Sequence, residues 1–206
     1  MKVITKIIFT IGDVLLPRIY LLTIRMLEKN GVVLTDKERI GIHDLEKALL
    51  NGALSESEYM LRLTALSSAQ IPLNENSLLE SVYLDNGVLS LVKDLSKNKD
   101  VFLFSDYPKN WLAKIDKNGS ISNHFKRVIY SQDISCNKSF DDIFIHLMAI
   151  HEIQAGNSMW VDSDPFRTSI AIRHGIDAII YVDERRLRRE LNLRKLLTVC
   201  IKSDNQ

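Results

Sequence analysis

Short apolar runs alternate with amphipathic segments along most of the chain. Each run is rich in β-branched or aromatic residues and stops at a polar side chain, which predicts a buried strand. The amphipathic segments between the runs predict helices. This alternation is typical of a doubly wound, Rossmann-like parallel α/β sheet that is covered by helices on both faces. The predicted strands are residues 3–10, 101–106, 127–133, 158–164 and 177–183.

One long stretch, residues 14–84, carries helix signals and no strand signal. Two capping boxes mark helix starts within it, Thr35 with Glu38 and Ser55 with Glu58. Because the stretch is too long for a simple crossover, we expect a helical cap inserted after the first strand. The predicted helices are 17–30, 35–52, 55–66, 76–83, 85–98, 139–153, 166–175 and a last one that begins at residue 184.

The chain is therefore predicted to fold as two parts. Residues 1–13 and 85–206 form the α/β core, and residues 14–84 form the cap. With 206 residues, 46% of them hydrophobic, the chain can bury a substantial apolar interior.

Charge and cysteine content narrow the class of protein. The formal net charge of +1 argues against a nucleic-acid partner and against attraction to a membrane surface. The two cysteines, Cys136 and Cys200, give no disulfide framework, so a reducing compartment is expected. No apolar stretch has the length of a membrane span, and no signal peptide is predicted. These features predict a cytoplasmic protein.

Several strands end at side chains that can bind or react, namely Thr10, Ser105, Ser131 and Asp162. In an open α/β sheet, ligands bind outside the carboxyl ends of the strands. Together with Lys138, which follows the third strand, the set predicts a site at that edge of the sheet. Strands also end at polar residues because loops are solvated, so for each residue alone a purely structural role stays open.

The set resembles the four sequence motifs of the haloacid dehalogenase (HAD) superfamily. That family has an aspartate nucleophile after the first strand, a serine or threonine after the second, a lysine before a later helix and an acidic motif after the fourth. The similarity covers almost the whole chain and is greatest to the α-D-glucose-1-phosphate phosphatase type of branch. It rests on the segments FTIGDVLL, GALSESEY, VFLFSDYP, YSQDISCNKSFDDIF and WVDSDPFRTSIAIRHGIDAIIYV.

The resemblance implies a role for each matching position. Ser105 would hydrogen-bond a phosphate oxygen, and Lys138 would neutralise the phosphate and hold the carboxylate of the nucleophile. Asp162 would lie beside Mg²⁺. The Gly12 carbonyl would face the metal, while backbone N–H groups of the same loop would bind phosphate. Thr10 stands at the position of the nucleophile.

Thr10 departs from the family pattern at the reacting atom. The aspartate that it replaces both attacks phosphorus and gives Mg²⁺ an anionic oxygen, and threonine does neither well. Other departures are Val161 in the acidic motif, Arg167 where an acid or amide is usual, and Ser139 in place of a proline. Arg167 would add a bidentate anion donor if it faced the pocket. We therefore expect Mg²⁺ binding to be weak or lost, with no other cofactor.

Two functions stay open at this point. The favoured one is a HAD-like protein without phosphatase activity, which binds a phosphorylated small molecule or a partner protein. The alternative is an active HAD-type phosphohydrolase that acts on a small phosphate ester, such as a sugar phosphate, through Asp13 or Asp106. Asp13 is equally typical of a turn residue or of a cap for the next helix.

The last predicted helix is strongly basic. Its segment ERRLRRELNLRK carries six lysines and arginines beside an apolar stripe that includes Leu187 and Leu191. Such a helix is typical of a surface helix with a solvated face. A second interpretation is docking to an acidic partner protein.

Overall fold

The protein is described by a computed structural model over residues 3–67, 73–134, 140–151 and 153–197. Its strands are β1 (Lys6–Thr10), β2 (Asp100–Ser105), β3 (Arg127–Tyr130), β4 (Ser158–Asp162) and β5 (Asp177–Ile180). They pair in parallel in the order β3-β2-β1-β4-β5. The order puts β1 at the centre between β2 and β4, so the carboxyl ends of these three strands are neighbours. This confirms the predicted parallel α/β fold.

Helices connect the strands and cover both faces of the sheet. One short helix was not predicted, because its seven residues after Pro108 are too few to show a clear period. The helices in the described residues are α1 (Ile19–Lys29), α2 (Asp36–Leu50), α3 (Glu56–Leu66), α4 (Glu75–Leu79), α5 (Asn86–Leu95), α6 (Lys109–Ile115), α7 (Phe140–Ile150), α8 (Pro165–Arg173) and α9 (Glu184–Leu193).

Both predicted capping boxes are present. The Thr35 hydroxyl accepts from the Glu38 N–H at 3.3 Å, and the Glu38 carboxylate accepts from the Thr35 N–H at 2.8 Å. Ser55 and Glu58 repeat this exchange at the start of α3. Each box satisfies N–H groups that have no partner within the helix, which is why α2 and α3 begin where the sequence predicts.

The sheet separates two apolar cores. On one face, α7 and α8 pack over Ile8, Phe104 and Trp160, with the Trp160 ring 4.8 Å from that of Phe144 between centroids. On the other face, Ile7, Phe9 and Leu103 belong to a larger cluster that also includes residues of α1–α5. The strands are thus buried on both sides, as continuous apolar runs predict. None of the helices in the described ranges is long and apolar enough to span a bilayer.

The helices α1–α4 lie between β1 and α5 in the chain, in agreement with the helical stretch predicted for 14–84. One hydrogen bond joins this stretch to the loop after β3, and another joins the two ends of the stretch. The Ser131 hydroxyl donates to the Leu50 carbonyl at 3.0 Å, and the Asp85 N–H donates to the Leu15 carbonyl at 2.9 Å. The division into a core and a separate cap domain remains a prediction.

Candidate functional site

Three of the residues singled out from the sequence end neighbouring strands. Thr10 is the last residue of β1, Ser105 of β2 and Asp162 of β4. All three are buried, with exposed fractions of 1%, 0% and 0%. Their strands are adjacent and parallel in the sheet, so these side chains lie at one edge, as predicted from their positions at the strand ends.

The carboxylate of Asp162 has partners at both oxygens. Oδ1 accepts from the Thr10 hydroxyl at 3.2 Å, from the Asp164 N–H at 3.0 Å and from Nη2 of Arg167 at 2.9 Å. Oδ2 accepts from the indole Nε1 of Trp160 at 2.9 Å. Burial raises the pKa of Asp162, while the guanidinium of Arg167 acts in the opposite direction. The carboxylate is therefore engaged by the protein itself.

Arg167 bridges the loops that follow β2 and β4. Asp164 caps α8 and Pro165 begins it, which puts Arg167 in the first turn, next to the end of β4. Its Nη1 donates to Oδ2 of Asp106 at 3.1 Å, and its Nε lies 2.9 Å from Oδ2 of Asp162. Burial alone would lower the pKa of Arg167, but the carboxylates around it more than reverse this and raise it. The side chain is 8% exposed, so a fixed cation lies inside the site.

The loop after β1 is tied internally as well. The Gly12 carbonyl accepts from the Ser163 hydroxyl at 3.3 Å. Asp13 adopts a positive φ of 55°, and its carboxylate accepts from the Arg18 N–H at 3.0 Å and pairs with the Arg18 side chain at 3.6 Å. Asp13 thus holds the chain at the start of α1. A catalytic role for Asp13 remains a prediction.

The expected phosphate ligands are only partly described. The Ser105 hydroxyl donates to the Tyr107 carbonyl at 3.4 Å. Lys138, which the resemblance assigns to the phosphate, lies outside the described residues, as does Ser139. A carboxylate oxygen of Asp106 lies 3.6 Å from the position that a Cβ atom on Gly12 would occupy. Phosphate binding by Ser105, Lys138 and Gly12 remains a prediction.

Glu46 in α2 belongs to this region and was missed from the sequence. It is 3% exposed and accepts from the Tyr20 N–H at 2.7 Å. Arg18, the residue before α1, gives that helix no side-chain cap, so the carboxyl group of Glu46 accepts a free N–H at its N-terminus instead. Burial raises the pKa of Glu46 to about 7. In the sequence, the only sign that Glu46 is buried was its spacing of four and three residues from Ile42 and Leu49, which are buried on the same face of the helix.

Beside the strand ends, the described residues border a small cavity. Its volume is about 10 Å³, and Gly12, Arg18, Glu46 and Asp106 are among the residues that line it. That volume holds about one water molecule. Among the described residues in contact with this region, acids outnumber cations. The acids are Asp13, Glu46, Asp106, Asp162 and Asp164, and the cations are Arg18 and Arg167.

These donors do not fit a magnesium ion as they are arranged. Mg²⁺ requires oxygen ligands in nearly octahedral geometry, with carboxylates free to bind it. Here Arg167 binds the carboxylates of both Asp162 and Asp106, and the Ser163 hydroxyl donates to the Gly12 carbonyl. Thr10 provides no anionic ligand. Over the described ranges, no three His, Cys, Asp or Glu side chains form a group that could hold a metal ion.

In sequence, the chain matches no protein-family model and no curated protein. In structure, it is similar to solved hydrolases. A predicted HAD-like family hydrolase from Porphyromonas gingivalis has a TM-score of 0.69 and 18% identity, over 91% of this chain and 98% of that chain. A HAD family enzyme from Bacteroides thetaiotaomicron, solved as a magnesium complex, has a TM-score of 0.71 and 16% identity, over 90% and 98%.

A hydrolase from Streptococcus pneumoniae TIGR4 has a TM-score of 0.56 and 18% identity, over 93% of this chain and 100% of that chain. In each case the similarity extends over nearly the whole length of both proteins. The chain therefore has the fold of the HAD-like hydrolases, as the resemblance of its motifs predicted.

Proposed function

We propose that this chain acts by binding a partner protein and has lost aspartyl phosphatase activity. The observation that carries the proposal is the position of Arg167, whose guanidinium spans Asp106 and Asp162 at 3.1 and 2.9 Å. The resemblance places Mg²⁺ beside Asp162, next to the aspartate that Thr10 replaces. Here a side chain supplies the positive charge permanently.

Two further features support loss of the reaction. Thr10 is neutral, and its hydroxyl donates to Asp162, so neither a carboxylate nucleophile nor an anionic metal ligand is available there. The cavity that the described residues form beside Gly12 has about 10 Å³, which is the volume of a water molecule rather than of a phosphate ester. The excess of carboxylates around it also disfavours an anionic ligand. Of the two binding functions, a partner protein is therefore better supported than a phosphorylated small molecule.

An active phosphohydrolase is the second candidate, and one contact favours it. The Thr10 hydroxyl lies 3.2 Å from Oδ1 of Asp162, which is the arrangement of a hydroxyl nucleophile and a general base. The engagement of Asp162 by Arg167 weakens it as a base. A phosphothreonine formed in this way would also be far more stable than an acyl phosphate. The enzyme would therefore stay phosphorylated, and turnover would stop.

A phosphatase assay separates the two candidates. We expect no release of phosphate above background from p-nitrophenyl phosphate or from sugar phosphates, with or without Mg²⁺. The matched variants are Thr10→Val, which removes the hydroxyl, and Thr10→Ser, which keeps it. Turnover by the natural chain that Thr10→Ser retains and Thr10→Val abolishes would overturn the proposal and establish the hydrolase.

A further inference from the structure

The basic helix α9 contains an unusual concentration of one residue type. Five of the twelve arginines of the chain lie in residues 185–194, whereas the net charge of the whole chain is only +1. Leu187 and Leu191 are buried at 1% and 0% exposure and fix which side of the helix faces the protein. The remaining positions therefore hold a dense array of guanidinium groups at the surface.

Part of this charge is compensated and part is not. Arg188 pairs with Glu184 at 2.7 Å, and Arg194 pairs with Glu190 at 2.5 Å. Arg185, Arg186 and Arg189 are exposed, and within the described ranges no ion pair involves them. Three guanidinium groups on one short helix are thus directed to solvent without an ion pair among the described residues, and the acid that attracts two of them, Glu190, is already hydrogen-bonded to Arg194.

These side chains border a shallow trough of about 400 Å³. Its lining combines Arg185, Arg188 and Arg189 with Asn192 and Leu193, and no acid takes part. Leu193 is 67% exposed, so an apolar contact lies at one end of the row of arginines. Arginines beside an exposed apolar side chain are typical of the energetically important part of a protein–protein interface.

We propose that this outward face of α9, formed by Arg185, Arg188, Arg189, Asn192 and Leu193, binds an acidic segment of a partner protein. Guanidinium groups form bidentate pairs with carboxylates, and their spacing along one helix face suits a row of Glu or Asp side chains. Leu193 requires an apolar residue in the same segment. The inference rests on the proposed binding function, since it names the chemistry of the partner.

Nucleic acid and membrane are poorer matches to this face. A nucleic-acid-binding domain is usually basic as a whole, whereas this chain has a net charge of +1 and a pI of about 7.8. A membrane-surface helix presents a broad apolar face to the bilayer, but the apolar stripe of α9 is buried against the protein. The acidic protein segment is therefore the occupant that the charges and the single apolar contact favour.

The test is a titration of the full chain with a fluorescent peptide of alternating Glu and Leu. The same peptide with Gln in place of Glu serves as the neutral control. The variant Arg185→Gln/Arg189→Gln removes two unpaired cations, and Arg25→Gln/Arg62→Gln removes two exposed arginines elsewhere. We expect the first variant to weaken binding about tenfold, since each exposed charge pair contributes modestly. The second variant should bind as the natural chain does.

Binding should also disappear at about 1 M NaCl, where the Debye length is about 3 Å. Absence of binding to the acidic peptide, or equal affinity of both variants, would overturn the inference. Tighter binding of a single-stranded RNA, or of vesicles rich in phosphatidylglycerol, would also overturn the inference. It would indicate that the partner is a nucleic acid or a membrane instead. None of these results changes the phosphatase assay, so failure of this inference is distinct from failure of the proposed function.

Discussion

Arg167 in α8 and Arg189 in α9 place the same chemical group in opposite surroundings. Arg167 is buried and contacts the carboxylates of Asp106, Asp162 and Asp164, whereas Arg189 is exposed and forms no ion pair among the described residues. A buried cation of this kind holds loops together because its charge is used internally. An exposed cation that forms no ion pair contributes little to folding and remains available to a partner. Burial and pairing therefore decide which arginine is structural and which can act in recognition.

The largest expected effect is the loss of the Arg167 side chain. Arg167→Met should lower the free energy of unfolding by about 3–5 kcal/mol, because it leaves Asp162 buried without its compensating cation. Arg189→Met is the matched control, for which a surface change of about 0.5 kcal/mol or less is expected. Denaturant unfolding measures both. Equal effects of the two variants would contradict the contrast between the buried and the exposed arginine.

The next effect concerns Glu46, a second buried charge beside the site. Its pKa is about 7 in the folded chain, whereas the ordinary pKa of a glutamate is 4.5, so the folded chain holds the proton more tightly than the unfolded chain. The stability from this group is therefore full below pH 4.5 and is lost as pH rises through 7. The difference between the two pKa values corresponds to a decrease of about 3 kcal/mol in the free energy of unfolding over this pH range.

Glu46→Gln tests this pH dependence, because glutamine keeps an acceptor for the Tyr20 N–H but does not titrate. Burial also raises the pKa of Asp13 and Asp162, so the informative quantity is the difference between the natural chain and the variant from pH 4 to pH 8. Asp44→Asn, on the exposed side of the same helix, is the control. The prediction fails if Glu46→Gln leaves the slope of stability against pH unchanged.

A smaller effect is expected at Thr10. Thr10→Val removes the hydroxyl that donates to Asp162 and should cost about 1.5 kcal/mol, the usual contribution of a hydrogen bond to a charged group. Thr10→Ser keeps the donor and should recover part of that stability. Thermal unfolding of the two variants is sufficient. A valine variant as stable as the natural chain would mean that this threonine does not hold Asp162 in place.

The sequence was sufficient for the parts of the fold that depend on local pattern. Apolar runs predicted the strands, and the pairs Thr35 with Glu38 and Ser55 with Glu58 located two helix starts. The rule that sites form at strand ends selected Thr10 as well, because the carboxyl ends of parallel strands lie at one edge of the sheet. These features follow from residues close together in the chain.

The sequence was insufficient where a side chain reaches across the fold. Arg167 was visible only as a departure from a family pattern, since its contact with Asp106 joins residues 61 positions apart. In sequence, Glu46 is one polar position of an amphipathic helix, although its partner is the N-terminus of another helix. Burial and pairing of charges depend on packing that no local pattern records, so the charge pairs inside the site could not be predicted.

The most direct test of the central claim, that Arg167 takes the place of a metal ion, is a Mg²⁺ titration followed by thermal unfolding. We predict that Mg²⁺ at about 10 mM leaves the melting temperature of the natural chain unchanged, because Arg167 already binds the carboxylates of Asp106 and Asp162. The same Mg²⁺ should raise the melting temperature of Arg167→Ala, in which both carboxylates are freed. A Mg²⁺-dependent rise for the natural chain as large as that for Arg167→Ala would contradict the claim.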